Sequence, residues 1–309
     1  MRGMNKLPLE KRVQILSLLV EGSSLRSVSR VVGVSINTVT KLLVDAGWAC
    51  MDFHDTNVRN VAAQKIQCDE IWSFCYAKNR NVPAAKAAPE GAGNVWTFTA
   101  LDAGSKLMVS WMVGDRNDVA AFHMLSDLKM RLTDRVQLTT DGFPAYLGAV
   151  AAAFGQENVD YGMLVKIYGQ PKDGPRGSAE RRYSPPECIG CRTSVIYGNP
   201  DPAHVSTSYV VRQNLTMRMS MRRFTRLTNA FSKKFENHCH SLALYFCWYN
   251  WMRKHKSLGT TPAIAAGITD KILTMADVAA LIDTREASLI QSRRNALLAS
   301  PIEQLPQSK

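Results

Sequence analysis

Apolar residues return every three or four positions through the first part of the chain. Leu9, Val13, Leu16 and Val20 form one stripe, and Pro8 stands where a first helical turn tolerates proline. Gly22 closes that helix, and a second follows Ser23 and Ser24 with Leu25, Val28 and Val32 on its apolar face. Gly33 then supplies a tight turn, Ser35 is placed to cap a third helix, and Val39, Leu42 and Leu43 share one side of it. Two short helices joined by a glycine turn predict a helix-turn-helix over residues 1–50. Asn37, Thr38, Thr40 and Lys41 would face outward, where contacts to bases and phosphates would sit. The same pattern also suits a plain three-helix bundle.

The period changes downstream. Residues 51–64 read as a linker, and "IQCDEIWSFCYAK", "NVWTFTALD" and "KLMVSWMVG" then carry the aromatic and β-branched character of strands. A helix is expected from Asp118 to Leu132, a short strand in "RVQLTTDG", a helix in "FPAYLGAVAAAFG" and a further strand in "VDYGMLVKIY". Strands in meander followed by helix, strand, helix and strand describe an α/β sheet domain, taken here as residues 65–270. Within it, residues 169–206 lack periodicity, are rich in Gly, Pro and Arg, and read as a long loop insert. "SYVVRQNLTMRMSMRRFTRL" then predicts a helix from Ser208 to Leu227 with five arginines and no acid. Another helix is expected from Lys234 to Lys254, and a helical tail occupies 271–309.

Composition narrows the partners. The 309 residues carry a formal net charge of +12, which suits a polyanion, although solubility alone could account for it. No apolar run reaches the about 18 residues of a membrane span, and "MRGMNKLPLEKR" lacks an apolar signal core. The seven cysteines are odd in number and scattered, so they are read as reduced thiols of a cytoplasmic protein. Cys188 and Cys191 form a single CxxC in the insert, read as a loop coincidence rather than a zinc site.

Acids inside strands are the candidate chemistry. Asp69 sits among Ile, Trp and Phe, where a carboxylate is costly unless something pairs it, and Asp141 ends the fourth strand. Two acids on neighbouring strands suggest a shared divalent cation suited to phosphoryl transfer, whereas Asp141 alone could be only the turn residue of "TDG". Glu70 and Asp102 are weaker candidates, and strand alternation sends Glu70 to the face opposite Asp69. On the arginine-rich helix, Val210, Met217, Met221 and Phe224 make a stripe that would pack on the sheet. Arg212, Arg223 and Arg226 lie roughly opposite, while Arg218 and Arg222 flank Val211 and Leu215. Guanidinium groups beside a two-acid site suit phosphate.

The blocks "DEIWSF", "TDGFPAY", "RQNLTMRMSMRRFTRLTNAFSK" and "ENHCHSLALYFCWYN", in this order, resemble the DDE transposases of bacterial insertion sequences, specifically the insertion-sequence family numbered one. The resemblance runs from the helix-turn-helix to about Gly267. It implies an RNase H-like mixed-sheet catalytic domain behind a small all-α helix-turn-helix domain, Mg²⁺ or Mn²⁺ as cofactor, and assembly of protomers on terminal inverted-repeat DNA. Asp69 and Asp141 match the family's first and second catalytic acids and would bind the metal, and Arg212, Asn214, Arg218 and Arg222 would contact DNA. Two departures stand out. The zinc-binding segment that precedes the helix-turn-helix in founding members has no match here, and the third acid, expected at the head of an "ERxN" block, falls on Val211 of "VVRQN". Glu236 matches a second recurrent Glu of the family and is the substitute acid considered for catalysis. The resemblance therefore implies either a working transposase or a weakened descendant that binds element ends without cutting them. A nuclease without strand transfer has no feature in its favour.

Overall fold

A computed structural model describes residues 6–169, 187–225 and 228–299. Among them, three helices come first: α1 (Leu9–Val20), α2 (Leu25–Val32) and α3 (Ile36–Asn57). The Ser35 hydroxyl accepts the Thr38 N–H at 3.2 Å, the cap the sequence predicts, and that of Ser24 accepts the Ser27 N–H at 3.0 Å and caps α2 in the same way. Gly33 takes the left-handed conformation (φ 69°) that a β-carbon would oppose, and this turns α2 into α3.

The segment expected to be a linker is largely helix. α3 continues through residue 57, and His54 in its last turn is buried with Nε2 3.0 Å from the Val109 carbonyl. Burial lowers the pKa of His54 to about 3, so the ring stays neutral and pins α3 to the sheet. Beyond Gly47 the run "WACMDFHD" mixes buried Ala49, Cys50 and His54 with exposed Trp48, Met51, Asp52 and Asp55, which blurs the helical period.

The sheet has six strands in the order β3-β2-β1-β4-β5-β6. They are β1 (Lys65–Cys75), β2 (Gly93–Asp102), β3 (Met108–Gly114), β4 (Val136–Thr140), β5 (Val159–Tyr168) and β6 (Cys188–Tyr197). The first three form an antiparallel meander, β4 lies parallel to β1 and to β5, and β6 is antiparallel to β5. Helices α4 (Asp118–Arg131) and α5 (Ala145–Phe154) supply the crossovers around β4. β6 corrects the loop expected over 169–206: it is an exposed edge strand, so no buried alternation announced it. Residues 170–186 of that insert, and Arg226, fall outside the described residues.

The arginine-rich segment forms α6 (Ser208–Ser220), which ends earlier than expected. Met221 turns extended, and a short 3-10 turn over Arg222–Phe224 follows. Val210, Met217, Met221 and Phe224 are nevertheless all buried, against Ile71, Leu101 and Met108 of the sheet and against α7 (Phe235–Trp251). The apolar stripe survives the break because the turn keeps Phe224 on the core side. Arg223 does not stay outside as the helical spacing predicts; its Nη1 donates to Ser232 Oγ at 2.7 Å, and burial lowers its pKa to about 10.

α7 packs against α3, where Gly47 lets the helices approach: a β-carbon there would lie 2.6 Å from His240 Cα. After the short α8 (Pro262–Ala265), α9 (Met275–Ala299) returns to the start of the chain and packs on α1 and α3. Arg12, buried on α1, donates to both oxygens of Asp283 at 2.6 and 2.9 Å, and Arg285 pairs with Asp52 at 2.6 Å. The helical tail is thus part of the N-terminal helical layer.

Candidate active site

β4 stops where β1 continues. Their last paired residues are Gln67 and Thr139, so Asp69 and Glu70 lie on β1 beyond the end of its neighbour, and Asp141 follows β4 beside them. One carboxylate oxygen from each of Asp69, Glu70 and Asp141 lies within 4.8 Å of the others. Strand alternation does hold for Glu70's other contacts. Its carboxylate accepts from Arg116 Nε at 2.7 Å and Tyr146 OH at 3.3 Å, whereas Asp69 meets α6 on the other side. The open strand edge lets a longer side chain from the far face reach the same place. Sequence reasoning under-ranked Glu70 for want of that edge.

Each acid is held by specific donors. Asp69 Oδ2 accepts from Asn214 Nδ2 at 2.8 Å, and its Oδ1 accepts the Glu70 N–H at 2.9 Å. Asp141 Oδ1 accepts the Phe143 N–H at 3.0 Å, the turn contact expected of "TDG". Arg116, unflagged by the sequence, stacks its guanidinium 4.0 Å from the Phe143 ring centre while gripping Glu70.

Asp69 and Glu70 resist ionisation. Burial and then the charge of Asp141 raise the pKa of Asp69 to about 6, and the same two causes raise that of Glu70 to about 7 despite Arg116. Three convergent carboxylates with one nearby guanidinium are short of positive charge.

A divalent cation fits this donor set. Two oxygens on one Mg²⁺ stand at most about 4.2 Å apart, twice the usual metal–oxygen distance, so the three acids need close up only slightly. The second sign is Asn214: its Oδ1 is buried and has no hydrogen-bond partner among the described residues. That oxygen is a neutral hard donor beside Asp69.

Val211 is half-buried, three residues before Asn214 on α6, so the two side chains neighbour each other on one helix face. The position expected to hold the third acid therefore faces the region of Asp69 and offers no oxygen. Glu236 is not brought to the cluster. It is exposed in the first turn of α7, near Cys75 and Cys239, whose thiol pKa values are raised first by burial and further by its charge. Cys75 is the last residue of β1, six positions past Asp69 (75 − 69), about 20 Å along a strand. Asp102 is occupied in its own turn, where Oδ2 accepts from Ser105 N at 2.8 Å.

The remaining residues lie elsewhere. Arg212 and Arg222 are exposed and Arg218 is half-buried, all on or just after α6. Asn37 and Lys41 are exposed at the head of α3, with Lys41 paired to Asp45 at 2.6 Å. Thr38 and Thr40 are half-buried, and Thr40 Oγ1 donates back to the Ile36 carbonyl at 2.9 Å.

The fold and site define an α/β protein with a carboxylate cluster at the open edge of a mixed sheet. No protein-family model matches the chain, and no curated protein does. Among solved structures it is similar to a Mos1 transposase paired-end complex with the left transposon end, at 13% identity and TM-score 0.22 over 52% of this chain. The chain spans 61% of that protein's length. It is also similar to a piggyBac transposase synaptic complex with hairpin DNA (10% identity, TM-score 0.34, 100% of this chain and 80% of that one). A third is the Mos1 strand transfer complex (14% identity, TM-score 0.23, 80% of each chain). All three are transposases. Among the described residues, no helix is long and apolar enough to cross a membrane.

Proposed function

We propose that this chain is a DNA transposase of the DDE type, cutting and joining insertion-sequence ends at the Asp69–Glu70–Asp141 cluster. The observation that carries the reading is the convergence of those three carboxylates within 4.8 Å at the end of β4. The sheet order supports an RNase H-like domain: an antiparallel meander joined edge-on to two parallel strands through helical crossovers. Asp69, Glu70 and Asp141 would hold Mg²⁺ or Mn²⁺, with Asn214 Oδ1 as a further donor. When bound, such a cation neutralises phosphate charge and activates a nucleophile for phosphoryl transfer. Arg116 orients Glu70, and Asn214 orients Asp69. Asn37, Thr38, Thr40 and Lys41 of the helix-turn-helix would read terminal repeats, while Arg212, Arg218 and Arg222 would bind backbone phosphate without sequence preference. Protomers would assemble as an oligomer on paired ends.

Val211 favours a second reading, in which the chain binds element ends but cuts them poorly or not at all. Strand-transfer assays on end-bearing DNA, with the natural chain, Glu70→Gln, Val211→Glu and Glu236→Gln, separate the two. If Glu70 supplies the third acid, the natural chain joins ends, Glu70→Gln does not, and Glu236→Gln behaves as the natural chain. A silent natural chain that gains activity as Val211→Glu identifies the weakened descendant.

A further inference from the structure

The face of β1 that carries Glu70 goes on to carry Trp72 and Phe74, since alternate residues share a side. Near the start of the strand this face is covered by α5, through Tyr146. Past Glu70 the cover thins, and Trp72 and Phe74 are only half-buried. Their ring centres lie 5.7 Å apart, and Phe231 stacks on Phe74 at 5.1 Å with planes inclined by 28°. Trp72 is paired across the strands with Trp96, also half-buried, whose ring lies 4.9 Å from the Arg116 guanidinium. Lys78 Nζ lies 5.3 Å from the Trp72 ring centre and 5.8 Å from that of Phe74. Four aromatic side chains and two cations thus lie between the end of β1 and the carboxylate of Glu70, linked by ring contacts and by the pairing of Trp72 with Trp96.

Such a row is unusual as plain core. Half-buried rings at the open end of β1 keep part of their surface within reach of solvent, and two cations lie among them, Arg116 paired with Glu70 and Lys78 over the rings, in a chain with a net charge of +12. Rings interleaved with cations suit one ligand chemistry well. Unpaired bases stack on the rings, while the cations meet the phosphates between them. A duplex cannot use the row in this way, because its bases are already stacked on one another.

We propose that Trp72, Phe74, Trp96 and Phe231, with Lys78 and Arg116, form a stacking platform for unpaired bases of a DNA strand. The strand lies so that its backbone leads to the acid cluster, and the inference rests on reading that cluster as a phosphoryl-transfer site. The platform selects frayed, flipped or single-stranded DNA next to the reacting phosphate.

Binding of a thymidine oligonucleotide of about 12 nucleotides, against a blunt duplex, tests this with the full chain. Trp72→Leu keeps apolar bulk but removes the π-face. It should weaken the single strand by roughly 10-fold, leave the duplex unchanged and leave the salt slope unchanged, whereas Trp72→Phe should restore binding. Lys78→Gln should instead flatten the single-strand salt slope by about 0.7. Equal losses on both DNAs, or none on the single strand, overturn the platform. Should Trp72→Leu fail to fold, photocrosslinking of a bromodeoxyuridine oligonucleotide to the natural chain decides: adducts on Trp72, Phe74 or Phe231 are expected, and adducts confined to other segments refute it. Mn²⁺ titration of the same samples keeps the two ideas apart. Metal binding that persists without single-strand preference defeats the platform alone, and absent metal binding defeats the reading of the acids.

Discussion

The two faces of β1 are built by different rules. On one, Gln67 Oε1 accepts the first free N–H groups of α6 from Tyr209 and Val210 at 2.9 and 3.1 Å. On the same side, Asp69 takes the Asn214 amide and Ser73 Oγ donates to the Val95 carbonyl. α6 and α7 cover this face from end to end. On the other, Glu70 holds Arg116 and Tyr146, and beyond it the strand offers half-buried rings. A strand placed centrally in the order β3-β2-β1-β4 need not be equally enclosed on both sides. The covered face fixes the acids in place, and the open face is where a large substrate can approach.

The comparison breaks most visibly through the acids. Asp69→Asn or Asp141→Asn should abolish Mn²⁺ binding by calorimetry and lower strand transfer by about 100-fold or more, since small displacements of reacting groups already cost that much. Heat evolution equal to that of the natural chain would make these carboxylates purely structural.

A smaller effect is expected from the covered side alone. Asn250 of α7 is fully buried and bridges β3, its Oδ1 accepting the Met108 N–H at 3.0 Å and its Nδ2 donating to the Met108 carbonyl at 2.9 Å. Asn250→Ala strands both backbone groups and should cost about 2–4 kcal/mol in chemical denaturation, counting at least 1 kcal/mol for each group. A loss below about 0.5 kcal/mol would show that the α7 cover is dispensable.

The mildest perturbation is pH. Asp69 and Glu70 have folded pKa values raised to about 6 and about 7, above the ordinary carboxylate range near 4. Their contribution to the stability of the metal-free chain is therefore complete below about pH 4 and is lost as pH rises through about 6 to 7. A divalent cation prefers the ionised acids, so its affinity should climb over the same interval, and saturating Mg²⁺ should flatten the fall in melting temperature. Melting curves at several pH values, with and without Mg²⁺, check both signs. A metal-free chain that stabilises between pH 5 and 7 would contradict the crowding of charge on which the site rests.

Much of this was legible in residue order. Asp69 and Asp141 stood out because a carboxylate among strand apolars demands a reason, and the strands and helices up to Tyr168, apart from the last turns of α3, follow from period and caps. Three features were not legible, each because it depends on distant chain. Glu70 joins the site only because β4 ends two residues short of it, which no local pattern of β1 encodes. Arg223 leaves its helical position because α6 stops at Ser220, and Ser232 awaits it across the turn. β6 is an exposed edge strand paired only with β5, so alternation of buried residues never marked it.

The ion pair between Arg12 and Asp283 spans 271 positions of chain. Synthesis at about 5–20 residues per second would separate its two members by roughly 14 to 54 seconds. During that interval α1 carries a cation destined for burial and no counter-charge to meet it. A message cut short before Met275 would yield a chain in which α1 keeps its packing on α2 and α3 while Arg12 never meets its acid.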